Sequence, residues 1–144
     1  MKEQNQRRRK MTNSSLVAYT KLSPNHSGKR PHVIDRITPQ YVVGQFSVEK
    51  ICACFADKNR KARCNYAVGF DGRIGLYVDE QNRSWCSSSR DNDQRAVTIE
   101  CASDSFAPYK MTDKVFDALV ELCVDICKRN GKNKLIWIAD KEKL

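Results

Sequence analysis

Asn65-Tyr66-Ala67-Val68-Gly69-Phe70-Asp71-Gly72-Arg73-Ile74 is the stretch whose reading decides the fold of this chain. Tyr66, Val68 and Phe70 alternate with smaller residues, and a second β-rich run follows from Ile74 to Val78. An Asp-Gly pair between two such runs is a strong hairpin signal, because a tight primed turn needs positive φ at its centre. The sequence predicts two antiparallel strands that turn at Asp71-Gly72.

Upstream of the hairpin, Ile37 to Val43 is rich in β-formers but contains Pro39, which predicts a short, edge-like strand. Ser47 can cap a helix from about Val48 to Ala56, with Glu49 favourably placed in its first turn. Asp57 to Arg63 is a charged loop. Downstream, a Ser/Asn/Asp-rich loop runs from Gln81 to Gln94. Ala96 to Ala102 is a strand that could bury both faces between helical layers. Thr112 then caps a strongly periodic helix, Asp113–Asn130. Its apolar positions Val115, Phe116, Leu119, Val120, Leu122, Cys123, Ile126 and Cys127 follow the i, i+3, i+4, i+7 rule. Lys128-Arg129 suit the negative end of the helix dipole, and Gly131 ends it. Lys134 to Ile138 reads as a further strand. This order predicts an α/β domain, a mixed central sheet flanked by helices.

The N-terminal part is different. Residues 1–15 read as a disordered basic leader, and residues 16–36 as mostly loop around the breaker cluster Ser23-Pro24-Asn25-His26-Ser27-Gly28. The net charge of +9 is concentrated here. Residues 1–36 carry nine Lys/Arg against two acids, whereas residues 37–144 carry seventeen against fifteen. A tract such as Arg7-Arg8-Arg9-Lys10 can attract any polyanion, but the balanced remainder argues against a dedicated nucleic-acid surface. The 144 residues suit one domain. No apolar run approaches the roughly 18–20 residues of a membrane span. The N-terminus lacks the apolar stretch of a secretory signal, so the chain is expected to be cytoplasmic as synthesised.

Seven cysteines (52, 54, 64, 86, 101, 123 and 127) without an export signal suggest reduced thiols. Cys52-Ala53-Cys54 lacks the spacing of a zinc knuckle, and on a helix its two side chains point about 200° apart. Cys123 and Cys127 lie at i, i+4 on an apolar helix face, where a thiol acts as a small hydrophobe.

The N-Y-x-V-G-x-D-G pattern at Asn65–Gly72 belongs with Ile37-Thr38-Pro39-Gln40 before it. Arg83-Ser84-Trp85-Cys86 and Val97-Thr98-Ile99-Glu100 follow it. Together these segments resemble the zinc-dependent N-acetylmuramoyl-L-alanine amidases, which share their fold with the peptidoglycan recognition proteins. The resemblance implies hydrolysis of the amide between N-acetylmuramic acid and the L-alanine of the stem peptide, with peptidoglycan as partner. It covers residues 16–144 as the N-terminal two thirds of such a domain, incomplete at the C-terminal end. A protein of this kind needs a separate export device to reach the wall, as an endolysin does.

In the family, a catalytic zinc is held by a His on the first core strand and by a second His and a Cys or Asp near the domain's end. A fourth position stays open for water. The resemblance places a catalytic tyrosine at Tyr66, where a core aromatic is the competing reading. It places Trp85 as groove wall or core anchor, Cys86 where many members have a groove histidine, and Glu100 as a strand acid that orients neighbours or acts as a base. The first zinc position is occupied by Gln40, whose neutral amide oxygen suits zinc poorly. The other two ligands are expected beyond the end of the chain. The only histidines, His26 and His32, read as loop residues. The expectation is a family member that binds little zinc and has low or no activity; the alternative is a non-catalytic peptidoglycan-binding module.

Overall fold

The hairpin forms, with a different turn from the expected one. A computed structural model describes residues 1–4, 12–56, 59 and 62–143. In it, Tyr66–Val68 (β3) and Ile74–Leu76 (β4) pair antiparallel, Val68 opposite Ile74. The Gly72 N–H donates to the Gly69 carbonyl and the Gly69 N–H to the Arg73 carbonyl, both at 2.9 Å. Only Gly72 of the loop has positive φ, at 83°. This is a three-residue loop, a type I turn closed by a left-handed glycine, rather than a two-residue primed turn. Asp71 contributes a different contact, its carboxylate accepting from the Arg73 N–H at 3.1 Å.

Five strands form one sheet in the order β1–β4–β3–β5–β2, with β1 Val17–Thr20, β2 Arg36–Tyr41 and β5 Ala96–Cys101. All neighbours are parallel except β3 and β4. Every residue of β5 is buried, as the two-sided reading expected. β2 closes one edge, where Pro39 is tolerated. At the opposite edge is β1, which the sequence reading placed in loop. Val17–Thr20 has one half-buried face and pairs only with β4, so its local signal is weak.

Helices cover both faces. Val48–Cys54 (α1) starts at Ser47, whose hydroxyl accepts from the Lys50 N–H, and stops two residues before the expected end. Asp113–Arg129 (α3) starts at Thr112. It ends in a Schellman motif: Lys132 N–H to Cys127 C=O at 2.8 Å, with Gly131 at φ 67°. Between them, Arg90–Arg95 (α2) occupies ground read as loop, capped by Ser89. The face under α3 holds Tyr66, Val68, Ile74, Leu76, Val97 and Ile99 against Val115, Leu119, Leu122 and Ile126. The face under α1 holds Ile51, Cys52, Cys64, Ala67 and Tyr77. Burying each large aliphatic side chain stabilises the fold by about 1.5–3 kcal/mol.

Two further expectations are corrected. Lys134–Ile138 forms no strand: Leu135, Ile136 and Trp137 are exposed, and β-formers without a pairing partner gain nothing from their propensity. Residues 5–11 of the basic leader lie outside the described residues. Its last residues are not disordered, because Asn13 and Ser14 are buried. The Asn13 amide exchanges hydrogen bonds with the Glu80 N–H and Asp79, and the Ser14 N–H donates to the Tyr66 hydroxyl. Among the described residues no helix is long and apolar enough to cross a membrane.

Candidate functional site

Gln40 on β2 and Glu100 on β5 are direct register partners, and Ala67 of β3 continues the row. Period-two alternation turns this row to the face that carries α1, since Ile99 and Cys101 face α3. Cys86 arrives from the loop after the hairpin. Its thiol lies 3.3 Å from Gln40 Oε1 and 3.4 Å from Glu100 Oε1, donating to both. The structure thus brings together three of the positions singled out in the sequence.

The loop that delivers Cys86 is held by residues the sequence reading missed. The buried Asp93 carboxylate of α2 accepts from the N–H groups of Cys86 (3.0 Å) and Ser87 (3.3 Å) and from the Ser87 hydroxyl (2.6 Å). Ser89 followed by Asp91 and Asp93 was the available signal for that helix start. On the other side, Arg63 and Trp85 exchange backbone hydrogen bonds at 2.9 and 3.0 Å, and the Arg63 guanidinium donates to the Cys52 carbonyl of α1 at 2.7 Å.

Burial sets the chemistry of the cluster. It pushes the Glu100 carboxyl above the usual carboxylate range, with the Cys86 hydrogen bond working weakly against it. Burial also pushes the Cys86 thiol up, reinforced by the nearby Cys64 thiol and Glu100. Cys64, fully buried, is raised for the same reasons. Protonated thiols donate hydrogen bonds; they do not provide the thiolate that zinc favours, and the cluster contains no imidazole. Gln40 adds only a neutral amide oxygen. This donor set does not fit the metal. Among the described residues there is no group of three His, Cys, Asp or Glu side chains placed to hold an ion. His26 accepts from the Gly28 N–H, and His32 sits against the Val33 carbonyl, both local loop contacts.

Beside the cluster, a cavity of about 380 Å³ opens between β2 and α1. Tyr41, Val42, Phe46, Ile51 and Phe55 supply apolar walls, and Glu100 supplies a polar group. Val43, next in sequence to the lining residue Val42, has φ 57°, a conformation β-branched residues rarely adopt.

The other two singled-out residues stand apart from this cluster. Tyr66 belongs to the opposite face: its ring is fully buried under α3, and its hydroxyl donates to Glu80 Oε2 at 2.6 Å. Glu80, itself buried, takes a two-pronged ion pair from Arg129 at 3.0 and 2.8 Å and a contact from Asn130. Burial first, then the Glu80 charge, holds the Tyr66 hydroxyl far above its ordinary value. The geometry gives Tyr66 an anchoring role, joining the N-terminal segment, the post-hairpin loop and α3. Trp85 is half-buried, and its indole N–H donates to the Ser27 hydroxyl at 2.6 Å, so it pins the 21–35 segment. Arg30 does the same from within, its guanidinium donating to the carbonyls of Glu80, Asn82, Asp93 and Ala96.

Residues 30–139, most of the chain, match the family model described as N-acetylmuramoyl-L-alanine amidase. The chain belongs to that amidase family. Solved structures carry the same fold. A selenomethionine AmpD derivative superposes with TM-score 0.65 at 19% identity, over 82% of this chain and 77% of that one. The Ph2119 endolysin from a Thermus scotoductus bacteriophage gives 0.62 at 19% identity, over 78% and 75%. The Drosophila peptidoglycan recognition protein SA gives 0.62 at 12% identity, over 80% and 75%. No curated protein matches the chain at a significant level. Within the amidase family, then, the Gln40–Cys86–Glu100 cluster sits on the face of the sheet opposite Tyr66.

Proposed function

We propose that this amidase-family chain binds peptidoglycan at the α1 face, beside Glu100, and hydrolyses its N-acetylmuramoyl-L-alanine amide slowly or not at all. The observation that carries this reading is the Cys86 thiol donating to both Gln40 and Glu100, where the family has its first zinc position. A cluster of hydrogen-bond donors and acceptors can hydrogen-bond the amides of a stem peptide. It cannot lower the pKa of a water as a metal does. The adjoining cavity, apolar with one convergent acid, is of the kind that holds a small ligand segment.

Family membership and the likeness to recognition proteins support the wall polymer as partner. Cys86 and Glu100 are the proposed contacts, with Trp85 shaping the groove through its hold on Ser27. The test pairs two measurements on the same preparation: co-sedimentation with insoluble peptidoglycan, and release of stem peptides with zinc added. Binding without release is expected. Clear, zinc-stimulated release overturns the inactivity, and failure to sediment overturns the binding. The second reading, an active amidase, draws on the family match over residues 30–139.

A further inference from the structure

We propose that Lys50 makes the cavity between β2 and α1 selective for wall peptides that carry a free carboxylate. The lysine pairs with that carboxylate at the exposed end of the cavity, and Glu100 takes a peptide N–H at the buried end. This selectivity rests on the peptidoglycan-binding reading of the α1 face. Glu100 is buried, and the Cys86 thiol donates to its Oε1. Among the described residues nothing binds Oε2, although Glu100 lines the cavity. A carboxyl oxygen withdrawn from bulk water and left without a protein partner is costly until a ligand or water satisfies it. The N–H of a peptide is a donor of the right kind.

Phe46 forms a half-buried wall of the cavity, and its position is fixed. Its N–H donates to the Gly44 carbonyl at 3.0 Å, and its carbonyl accepts from the Phe70 N–H at 2.9 Å. Its ring lies against Gly44, where any Cβ would collide with it. Lys50 reaches over this ring, with Nζ 4.7 Å from the centroid. The aromatic face attracts the ammonium and holds it beside the cavity. At 100° per residue Lys50 lies about 40° around α1 from Cys54, a lining residue one turn on. Lys50 is exposed, and among the described residues no carboxylate pairs with it, whereas its neighbour Glu49 is paired with Arg73 at 2.7 Å. The lysine gains nothing from α1 itself, because the first turn of a helix favours acids. Between Lys50 and Glu100 the lining is apolar, with Val42, Ile51 and Phe55. A cation, apolar walls and one oxygen in need of a donor match a short peptide segment that carries a carboxylate. A neutral glycan has no anion for Lys50. The volume of about 380 Å³ is at the small end of ligand pockets, which suits a short segment.

Calorimetric titration of the full chain with two soluble probes tests the selectivity. The probes are N-acetylmuramoyl-L-alanyl-D-glutamate and the same compound with both carboxylates converted to amides. The free acid is expected to bind about 3- to 10-fold tighter than the diamide, the range of one charge-assisted contact at a partly exposed site. Lys50→Gln is expected to abolish that preference by weakening the acid and leaving the diamide unchanged, and Lys50→Arg to keep it. Equal affinity of the parent for the two compounds, or a preference that survives Lys50→Gln, overturns the selectivity and leaves peptidoglycan binding in place. Binding of neither compound by a chain that still sediments with peptidoglycan does the same. Failure to sediment overturns the binding reading itself, and the selectivity with it.

Discussion

Tyr66 and Glu100 project to opposite faces of one sheet although their strands are neighbours, Tyr66 pairing with Ile99 and Ala67 with Glu100. A tyrosine buried under α3 cannot act on a group bound beside α1. Tyr66→Phe should therefore leave peptidoglycan co-sedimentation unchanged. It should lower unfolding free energy by about 1–3 kcal/mol, the cost of leaving the buried Ser14 N–H without a partner and removing one of the hydrogen bonds to Glu80. Urea denaturation beside the binding assay checks both halves.

The Glu80–Arg129 pair is the most buried ion pair described, with the Glu80 side chain 2% exposed. Arg129→Ala strands that charge and should destabilise by about 3–5 kcal/mol. Arg129→Lys, which keeps the charge but cannot form the two-pronged contact, should fall between the parent and Arg129→Ala. Thermal melts of the three proteins give the order; a lysine variant as unstable as the alanine one would contradict it.

Glu100 sets a pH dependence. Its carboxyl holds its proton more tightly in the folded protein, because burial raises its pKa. The associated stability is fully present below the unfolded-state value, about 4.3 for glutamate, and is lost as pH rises through the folded value. Subtracting the stability of Glu100→Gln from that of the parent should reveal this decline with rising pH. A difference that is flat, or that grows with pH, would show the carboxyl to be exposed or ion-paired.

Zinc should matter little to this chain. With the Cys86 thiol bonded to both Gln40 and Glu100, added zinc or a chelator should leave Tm unchanged. A metal that bound only the folded state at a hundred times its Kd would add about 2.7 kcal/mol, an easily measured shift.

Gly72 is required by its turn. Its φ is 83°, and a Cβ there would meet the Lys114 carbonyl oxygen at 3.1 Å. Gly72→Ala should cost about 1 kcal/mol or more, read from the denaturation midpoint.

The candidate site was partly legible in the sequence. Gln40, Cys86 and Glu100 were each identified from local motifs, but their meeting was not visible, because they lie on three separate segments. Asp93, which fixes Cys86, stayed hidden in a loop-like composition, and Arg30 in a breaker-rich stretch. Tyr66 is the position for which the sequence left two readings, a catalytic tyrosine or a core aromatic. Its motif marked it for chemistry, but a bend at Asn65 and the pairing with β5 decide which face it takes.

By itself the sequence determined the elements whose signals are local: the hairpin, the capped helices α1 and α3, and the doubly buried β5. Capping, turn chemistry and hydrophobic period act within a few residues, so they can be read from neighbours. Only the tertiary structure decided what depends on partners far along the chain. β1 exists because β4 pairs with it, and Tyr66 is an anchor because Glu80 and Ser14 meet its hydroxyl. Leu135–Ile138, strand-like in composition, is left unpaired because a strand is stabilised by its neighbour's hydrogen bonds and not by its own propensity.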